Sequence, residues 1–241
     1  MILGTKASSV IDVIEKIPLK KRNLVKEITL DMAANMGLIA KKCFPNSVRV
    51  IDRFHVQKLA SEALQEIRIK YRWKAIDQEN EAIEEAKKFN KKYESQTLVN
   101  GDTLKQLLAR SRHFLYKTKT KWSVNQTERA NLLFELYPDI LKAYNLTQEL
   151  RTIFEKTNDK VIGFAKLAKW HEKVNQSGFN SFNTISRTIM NHYQAILNYF
   201  DNRSTNASAE SFNAKIKAFR AQFRGVRNVE FFLFRLTNIY A

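Results

Sequence analysis

The stretch LVKEITLDMAANMGLIAKKCFPNSVRVIDRFH, residues Leu24–His55, decides the fold class of this chain. Leu24–Leu30 alternates apolar and polar residues and Ser47–Phe54 is rich in β-branched residues, so both segments predict strands. The segment between them, from Met32 to about Cys43, predicts a helix that ends before Pro45. A strand, a helix and a second strand in this order indicate a parallel α/β unit.

Outward from this stretch, the chain is predicted to be mostly helical. Met1–Gly4 is a short apolar run that we interpret as a further strand, and Ser8–Ile17 predicts an amphipathic helix. Ser123 to Gln126 has the pattern of a capping box, and Asp201–Asn206 predicts a polar loop. The helices expected after the strands are Val56–Tyr93, 103–116, 124–136, 139–157, 159–176, 181–200, 207–223 and 228–240.

Composition narrows the classes of protein that this chain can represent. Its 241 residues include 41 Lys and Arg against 24 Asp and Glu, a formal net charge of +17, which indicates a polyanionic partner. Hydrophobic residues make up 44% of the chain, which supplies a core and excludes a disordered protein. No apolar run is long enough for a membrane span, and the single Cys43 excludes a disulfide framework. We therefore expect no membrane partner and a soluble cytoplasmic protein.

One segment combines positive charge with aromatic residues. Thr103–Thr127 has no acidic residue, and Phe114, Tyr116 and Trp122 lie among its basic residues. Cations neutralise phosphates and aromatic rings can stack on unpaired bases, so the segment suits nucleic acid. A solvated loop between two helices, with its aromatic residues facing the core, explains the same pattern. The candidate DNA contacts here are Lys105, Arg110, Arg112, Lys117, Lys119 and Lys121.

Three acidic residues are candidates for metal chemistry. Asp31 and Asp52 follow the two predicted parallel strands, at the edge where α/β sheets place their ligands. Glu210 lies on the helix after the polar loop. Carboxylates of this kind can hold Mg²⁺. An alternative for the two aspartates is that they cap the helices that follow them. His55 would then be the third residue of the helix that Asp52 caps. The alternative for Glu210 is that it is an ordinary solvated residue.

The helix with Glu210 has two predicted faces. Asn213, Lys217 and Arg220 lie close to the side of Glu210 at helical spacing, where cations can contact DNA phosphates. Phe212, Ile216, Phe219 and Phe223 form a separate apolar arc that we expect to pack into the core.

Two long segments resemble one known family. FPNSVRVIDRFHVQKLASEALQEIR (Phe44–Arg68) and SAESFNAKIKAFRAQFRGVRNVEFFLFRL (Ser208–Leu236) closely resemble the DDE transposases of bacterial insertion sequences, in the ISL-three group. EITLDMAANM resembles the segment with the second catalytic Asp, which corresponds to Asp31, and ASAESFNAKIK resembles the helix with the catalytic Glu, which corresponds to Glu210. IDRFH resembles the family's Asp-x-x-His signature, whose role is less settled, and the Asp and His of that signature correspond to Asp52 and His55.

The resemblance implies an incomplete ribonuclease-H-like sheet interrupted by a large all-α insertion. It divides the chain into a partial core (1–55), a helical insertion (56–200) and closing core helices that include the Glu motif (201–241). The family's first catalytic Asp lies upstream of the segment that MILGTK resembles. We therefore expect this chain to be an N-terminally truncated catalytic domain.

The function that the resemblance implies is Mg²⁺-dependent cleavage and strand transfer of DNA, in transposition of an insertion sequence. In the family three carboxylates hold two Mg²⁺ ions, so a chain with two of them is expected to have little or no activity alone. Its expected partners are DNA, further copies of itself or a full-length transposase, with association to the nucleoid when bound to DNA. The alternative function is that of a non-catalytic DNA-binding remnant or regulator.

Overall fold

The computed structural model describes residues 6–223 and 227–240 and is mostly helical, as the sequence predicts. The chain divides into two compact units. The first, which we call the sheet unit, comprises residues 1–55 and 192–241, and the second, the helical unit, comprises residues 56–191. The predicted strand at Met1–Gly4 lies outside the described residues.

A short parallel sheet organises the sheet unit. Strands β1 (Glu27–Leu30) and β2 (Val48–Ile51) pair in parallel, with Leu30 opposite Ile51. Between them lies helix α3 (Ala34–Cys43), which confirms the predicted order of strand, helix and strand. Both strands are shorter than the sequence predicts, because only these four residues of each have a pairing partner. Within the described residues the sheet has two strands.

Some helices of the sheet unit pack on the sheet, and others pack on one another. Helix α1 (Ala7–Ile14) packs on α3 through a small core of Ile11, Ile39 and Cys43, while the short helix α2 spans Leu19–Arg22. Burial raises the pKa of the Cys43 thiol. Helix α10 (Tyr193–Leu197) packs on β2, and the amide of Asn198 donates to the Arg49 carbonyl at 2.9 Å.

The prediction that α3 begins at Met32 under an Asp31 cap is wrong. The helix begins at Ala34, and no side chain caps it. Asp31 Oδ1 instead accepts a hydrogen bond from the Ala33 backbone N–H at 3.0 Å, two residues further on. Such a local bond stabilises a turn between strand and helix.

The helical unit is built from six helices among the described residues. Helix α4 (Arg53–Lys88) begins in the sheet unit, three residues earlier than predicted, and ends before the predicted Tyr93. Two of the later helices start at a capping box, one at Thr103 and one at Ser123. In both, the reciprocal hydrogen bonds are present, which confirms the prediction for Ser123. The remaining helices are α5 (Leu104–Leu115), a 3-10 turn (Lys119–Lys121), α6 (Val124–Leu136), α7 (Pro138–Lys156), α8 (Lys160–Ser177) and α9 (Asn180–Asn191).

The single helix predicted at 181–200 is wrong, because the structure has three helices there. It breaks after α9, where the chain passes from one compact unit to the other, and continues as α10 and α11 (Tyr199–Asn202). The predicted polar loop therefore begins at Arg203 rather than Asp201. The chain closes with α12 (Ala207–Gln222) and α13 (Val229–Tyr240). Across residues 6–223 and 227–240, no helix is both long and apolar enough to cross a membrane.

Candidate functional site

Asp31 and Asp52 lie side by side at one edge of the sheet. They follow the last residues of β1 and β2, and these last residues are register partners. The Asp52 backbone N–H donates to the Leu30 carbonyl at 2.9 Å, which extends the pairing by one step. Neighbouring strands are about 4.8 Å apart, so the two aspartate backbones are neighbours at the carboxyl end of the sheet.

The Asp52 carboxylate connects this edge to two helices. It is fully buried, and its Oδ1 accepts from the Phe54 backbone N–H at 2.9 Å, in the manner of an N-cap for α4. Its Oδ2 accepts from the Asn206 backbone N–H at 2.8 Å, immediately before α12. The alternative that Asp52 caps a helix is therefore correct. The two bonds join the end of β2 to the starts of α4 and α12.

Glu210 lies one turn beyond this connection. Its backbone N–H donates to the Asn206 carbonyl at 2.9 Å, in the first turn of α12, and its side chain is exposed. An acidic side chain is favourable near a helix N-terminus because the unpaired N–H groups there are partly positive. The bond between Asp52 and Asn206 thus fastens the start of the Glu210 helix to the carboxyl end of β2.

Asp31 borders a small pocket with positive charge. The pocket has a volume of about 260 Å³ and is lined in part by Asp31, Lys41, Arg49 and His192, all of the sheet unit. One Asp31 oxygen accepts the Ala33 N–H, and the second has no hydrogen bond to it. His55 is half-buried in the first turn of α4, where its backbone N–H donates to the Asp52 carbonyl at 3.1 Å.

The donor atoms of this site suit magnesium only in part. Carboxylate oxygens are the ligands that Mg²⁺ prefers, and Asp31 and Glu210 supply them. Among residues 6–223 and 227–240, however, no group of three or more His, Cys, Asp or Glu side chains is arranged to hold a metal ion. The described residues therefore do not fit a complete two-metal centre.

The exposed face of α12 carries the polar residues proposed as DNA contacts. Asn213, Lys217 and Arg220 are all exposed. The expectation that the apolar arc packs into the core is confirmed for Phe219, which is buried, and is wrong for Phe212, which is 46% exposed. Ile216 and Phe223 are half-buried. The Phe219 ring packs against Phe223 of the same turn and against Phe232 of α13, at centroid distances of 4.5 and 5.4 Å.

The basic residues of the 103–127 segment fall into two groups. Lys105 forms an ion pair with Glu79, and Arg110 forms one with the buried Asp102, which also accepts from Arg129 Nε at 2.8 Å. Both ion pairs lie within the helical unit. The other four candidates are exposed, namely Arg112, Lys117, Lys119 and Lys121.

The aromatic residues of that segment mostly face the core, as the alternative interpretation holds. Phe114 is buried, and the Trp122 indole N–H donates to the Phe114 carbonyl at 2.8 Å. The Trp122 ring packs against Phe114 and Tyr144 at centroid distances of 5.7 and 5.5 Å. These rings cannot stack on bases, whereas Tyr116 is 41% exposed and can.

The sequence interpretation missed two residues that position the site. The Asn206 backbone N–H donates to the Asp52 carboxylate, and the Asn202 side-chain amide at the end of α11 donates to Glu27 Oε2 at 2.9 Å. A backbone donor leaves no signal in residue type. The only available sign was that the polar loop DNRSTN immediately precedes the Glu210 helix.

The sheet unit thus has a parallel strand pair with acidic residues at its carboxyl end and a helix with Glu210 fastened to that end. The chain matches the family described as transposase, the DDE transposases of the ISL-three group, over residues 1–236. The chain therefore belongs to this transposase family. No match was found among curated proteins or among solved structures.

Proposed function

We propose that this chain serves DNA transposition by binding DNA and by supplying two carboxylates, Asp31 and Glu210, to a Mg²⁺ site. The family membership over residues 1–236 carries the proposal. The bond from Asp52 to Asn206 supports it, because it holds the Glu210 helix near the strand end that Asp31 follows. The incomplete ribonuclease-H-like core, with residues 56–200 as its helical insertion, is part of the same proposal.

Charge supports DNA as the partner. The net charge of +17 attracts a polyanion over long range, and exposed cations occur in both units. On α12 the contacts would come from Asn213, Lys217 and Arg220, and on the helical unit from Arg112 and the lysines at 117, 119 and 121. Lys105 and Arg110 contribute less, because each is engaged by a carboxylate.

The metal would be held by the carboxylates of Asp31 and Glu210. A Mg²⁺ ion at this place would supply Lewis-acid chemistry. Because the described residues offer no group of three ligands, we expect the isolated chain to have little or no strand-transfer activity. Mg²⁺-dependent joining by the isolated chain that is lost in Glu210→Gln would contradict this expectation.

The metal role is tested by Asp31→Asn and Glu210→Gln. Titration with Mn²⁺, followed by electron paramagnetic resonance, should show weaker binding in each variant, while DNA affinity in the absence of metal should not fall. The matched control is Asp12→Asn, which removes an exposed carboxylate from α1. Equal Mn²⁺ binding by all four proteins would contradict the assignment of Asp31 and Glu210.

A second function is favoured by the absence of a three-ligand group among the described residues. In it the chain binds DNA without catalysis and regulates a full-length transposase by mixed assembly. This alternative predicts that both carboxylate variants inhibit transposition by an active family member as well as the unaltered chain does. Loss of inhibition in Glu210→Gln would favour the metal role instead.

A further inference from the structure

Arg68 of α4 is a buried cation whose partners are both neutral. Its side chain is 5% exposed. Its Nε donates to Gln65 Oε1 at 2.6 Å, and its Nη1 donates to the Leu108 carbonyl of α5 at 2.7 Å. A buried charge is normally compensated by an opposite charge, since removing it from water is costly. Neither acceptor supplies that compensation.

Two further guanidinium groups lie close to Arg68. Arg72 follows it by one turn on α4, and Arg112 follows Leu108 by one turn on α5. Long helical side chains lean toward the N-terminus of their helix, so both lean back toward the Arg68 guanidinium. Burial lowers the pKa of Arg68, and the positive charges of Arg72 and then Arg112 lower it further.

No carboxylate offsets these three charges within residues 6–223 and 227–240. The ion pairs found there include none with Arg68, Arg72 or Arg112. By contrast, the neighbouring Arg110 and Arg129 share the buried Asp102. The cluster thus has three positive charges in a partly buried place without a negative one.

Unused hydrogen-bond donors accompany the cluster. Gln65 is 7% exposed, and its Nε2 has no acceptor in the described structure. Because the Oε1 of the same amide contacts Arg68 Nε, this Nε2 lies beside the Arg68 guanidinium. The Nε of Arg72 is also buried and without an acceptor. Buried donors without acceptors are rare, so they mark a place where an acceptor is expected.

We propose that Arg68, Arg72 and Arg112, together with the Gln65 amide, form a binding site for a phosphate group of a DNA strand. A phosphate has several acceptor oxygens and matches guanidinium groups in charge and geometry. Arg112 is exposed and Arg72 is half-buried, so part of the cluster faces solvent. The choice of DNA rests on the proposed function, whereas a free phosphate would satisfy the same chemistry.

The first arm of the test measures DNA affinity against salt concentration. The double variant Arg72→Gln/Arg112→Gln removes two charges of the cluster and leaves the buried Arg68 in place. The matched control is Lys58→Gln/Lys87→Gln, which removes two exposed charges from α4 that have their own partners, Glu62 and Glu84. Loss of one phosphate contact should lower the salt slope of the cluster variant by about 0.9 relative to the control.

The second arm uses inorganic phosphate alone. At constant ionic strength, phosphate should raise the melting temperature of the unaltered protein and of the control above the value in chloride. The rise should be lost in the cluster variant. The rise should also be lost in Gln65→Glu, because this substitution places a carboxylate beside Arg68. In chloride, the melting temperature of this variant should be no lower than that of the unaltered protein.

The outcomes separate the site from the proposed function. A phosphate response that persists in the cluster variant or in Gln65→Glu overturns the site. If the cluster variant loses the phosphate response but has the same salt slope as the control, the phosphate site stands. DNA is then overturned as the source of the bound phosphate group. If the unaltered protein does not bind DNA, the proposed function fails while the phosphate arm still decides the site.

Discussion

Replacement of Asp52 should loosen the start of the Glu210 helix. The buried carboxylate accepts one hydrogen bond from Phe54 and one from Asn206. Hydrogen bonds to a charged group contribute about 1.5–3 kcal/mol each, so Asp52→Ala should lower the free energy of unfolding by about 3 kcal/mol or more. Urea denaturation measures this loss, with Asp12→Asn as a control expected to stay within about 0.5 kcal/mol of the unaltered protein.

Asp52→Asn separates the two bonds. An asparagine keeps one acceptor oxygen and is itself a good N-cap, so the bond from Phe54 can remain. Its amide NH₂ then faces the Asn206 N–H, which loses its acceptor. A loss of about 1.4 kcal/mol corresponds to a factor of about ten. Hydrogen exchange at the Asn206 amide should therefore accelerate about tenfold, and exchange at Phe54 should change less.

Two results would refute this reasoning. The first is an Asp52→Ala protein with the same free energy of unfolding as the unaltered chain. The second is unchanged exchange at Asn206 in Asp52→Asn, since the Asn206 N–H would then not depend on the carboxylate. Either result would also remove the support that this bond gives to a shared site for Asp31 and Glu210.

Three further predictions concern the helical unit. Ser123→Ala removes the cap of α6 and should cost about 1 kcal/mol in urea denaturation, and an unchanged midpoint would contradict the capping box. Asp102→Asn should cost about 1.5 kcal/mol, because two arginines that remain partly exposed lose the buried carboxylate that both contact, and an unchanged free energy of unfolding would contradict this. The hydrogen bond to Asp139 raises the pKa of Tyr71 to about 12, from an ordinary 10. This contribution to stability is complete below pH 10 and is lost as the pH rises toward 12. The free energy of unfolding of Tyr71→Phe should therefore fall less steeply with pH in that range than that of the unaltered protein, and equal slopes would contradict this.

Much of the fold follows from local pattern. The parallel strands, the helix between them and the capping box at Ser123 were predictable because alternation and capping chemistry act over a few residues. The ends of the strands were not predictable, because they depend on which residues of the partner strand lie opposite. The break after Asn191 was also hidden, since no Gly or Pro marks it.

For the site, the sequence by itself determined which residues are candidates for the chemistry: Asp31 and Asp52 after the strands, Glu210 on its helix and an excess of cations. Only the tertiary structure decided which groups each of them contacts. It made Asp52 a buried acceptor for Asn206, turned Phe114 and Trp122 into the core and paired Arg110 with Asp102. The physical reason is that partners such as Asp52 and Asn206 are far apart along the chain, and residue type does not reveal which backbone N–H a carboxylate will meet.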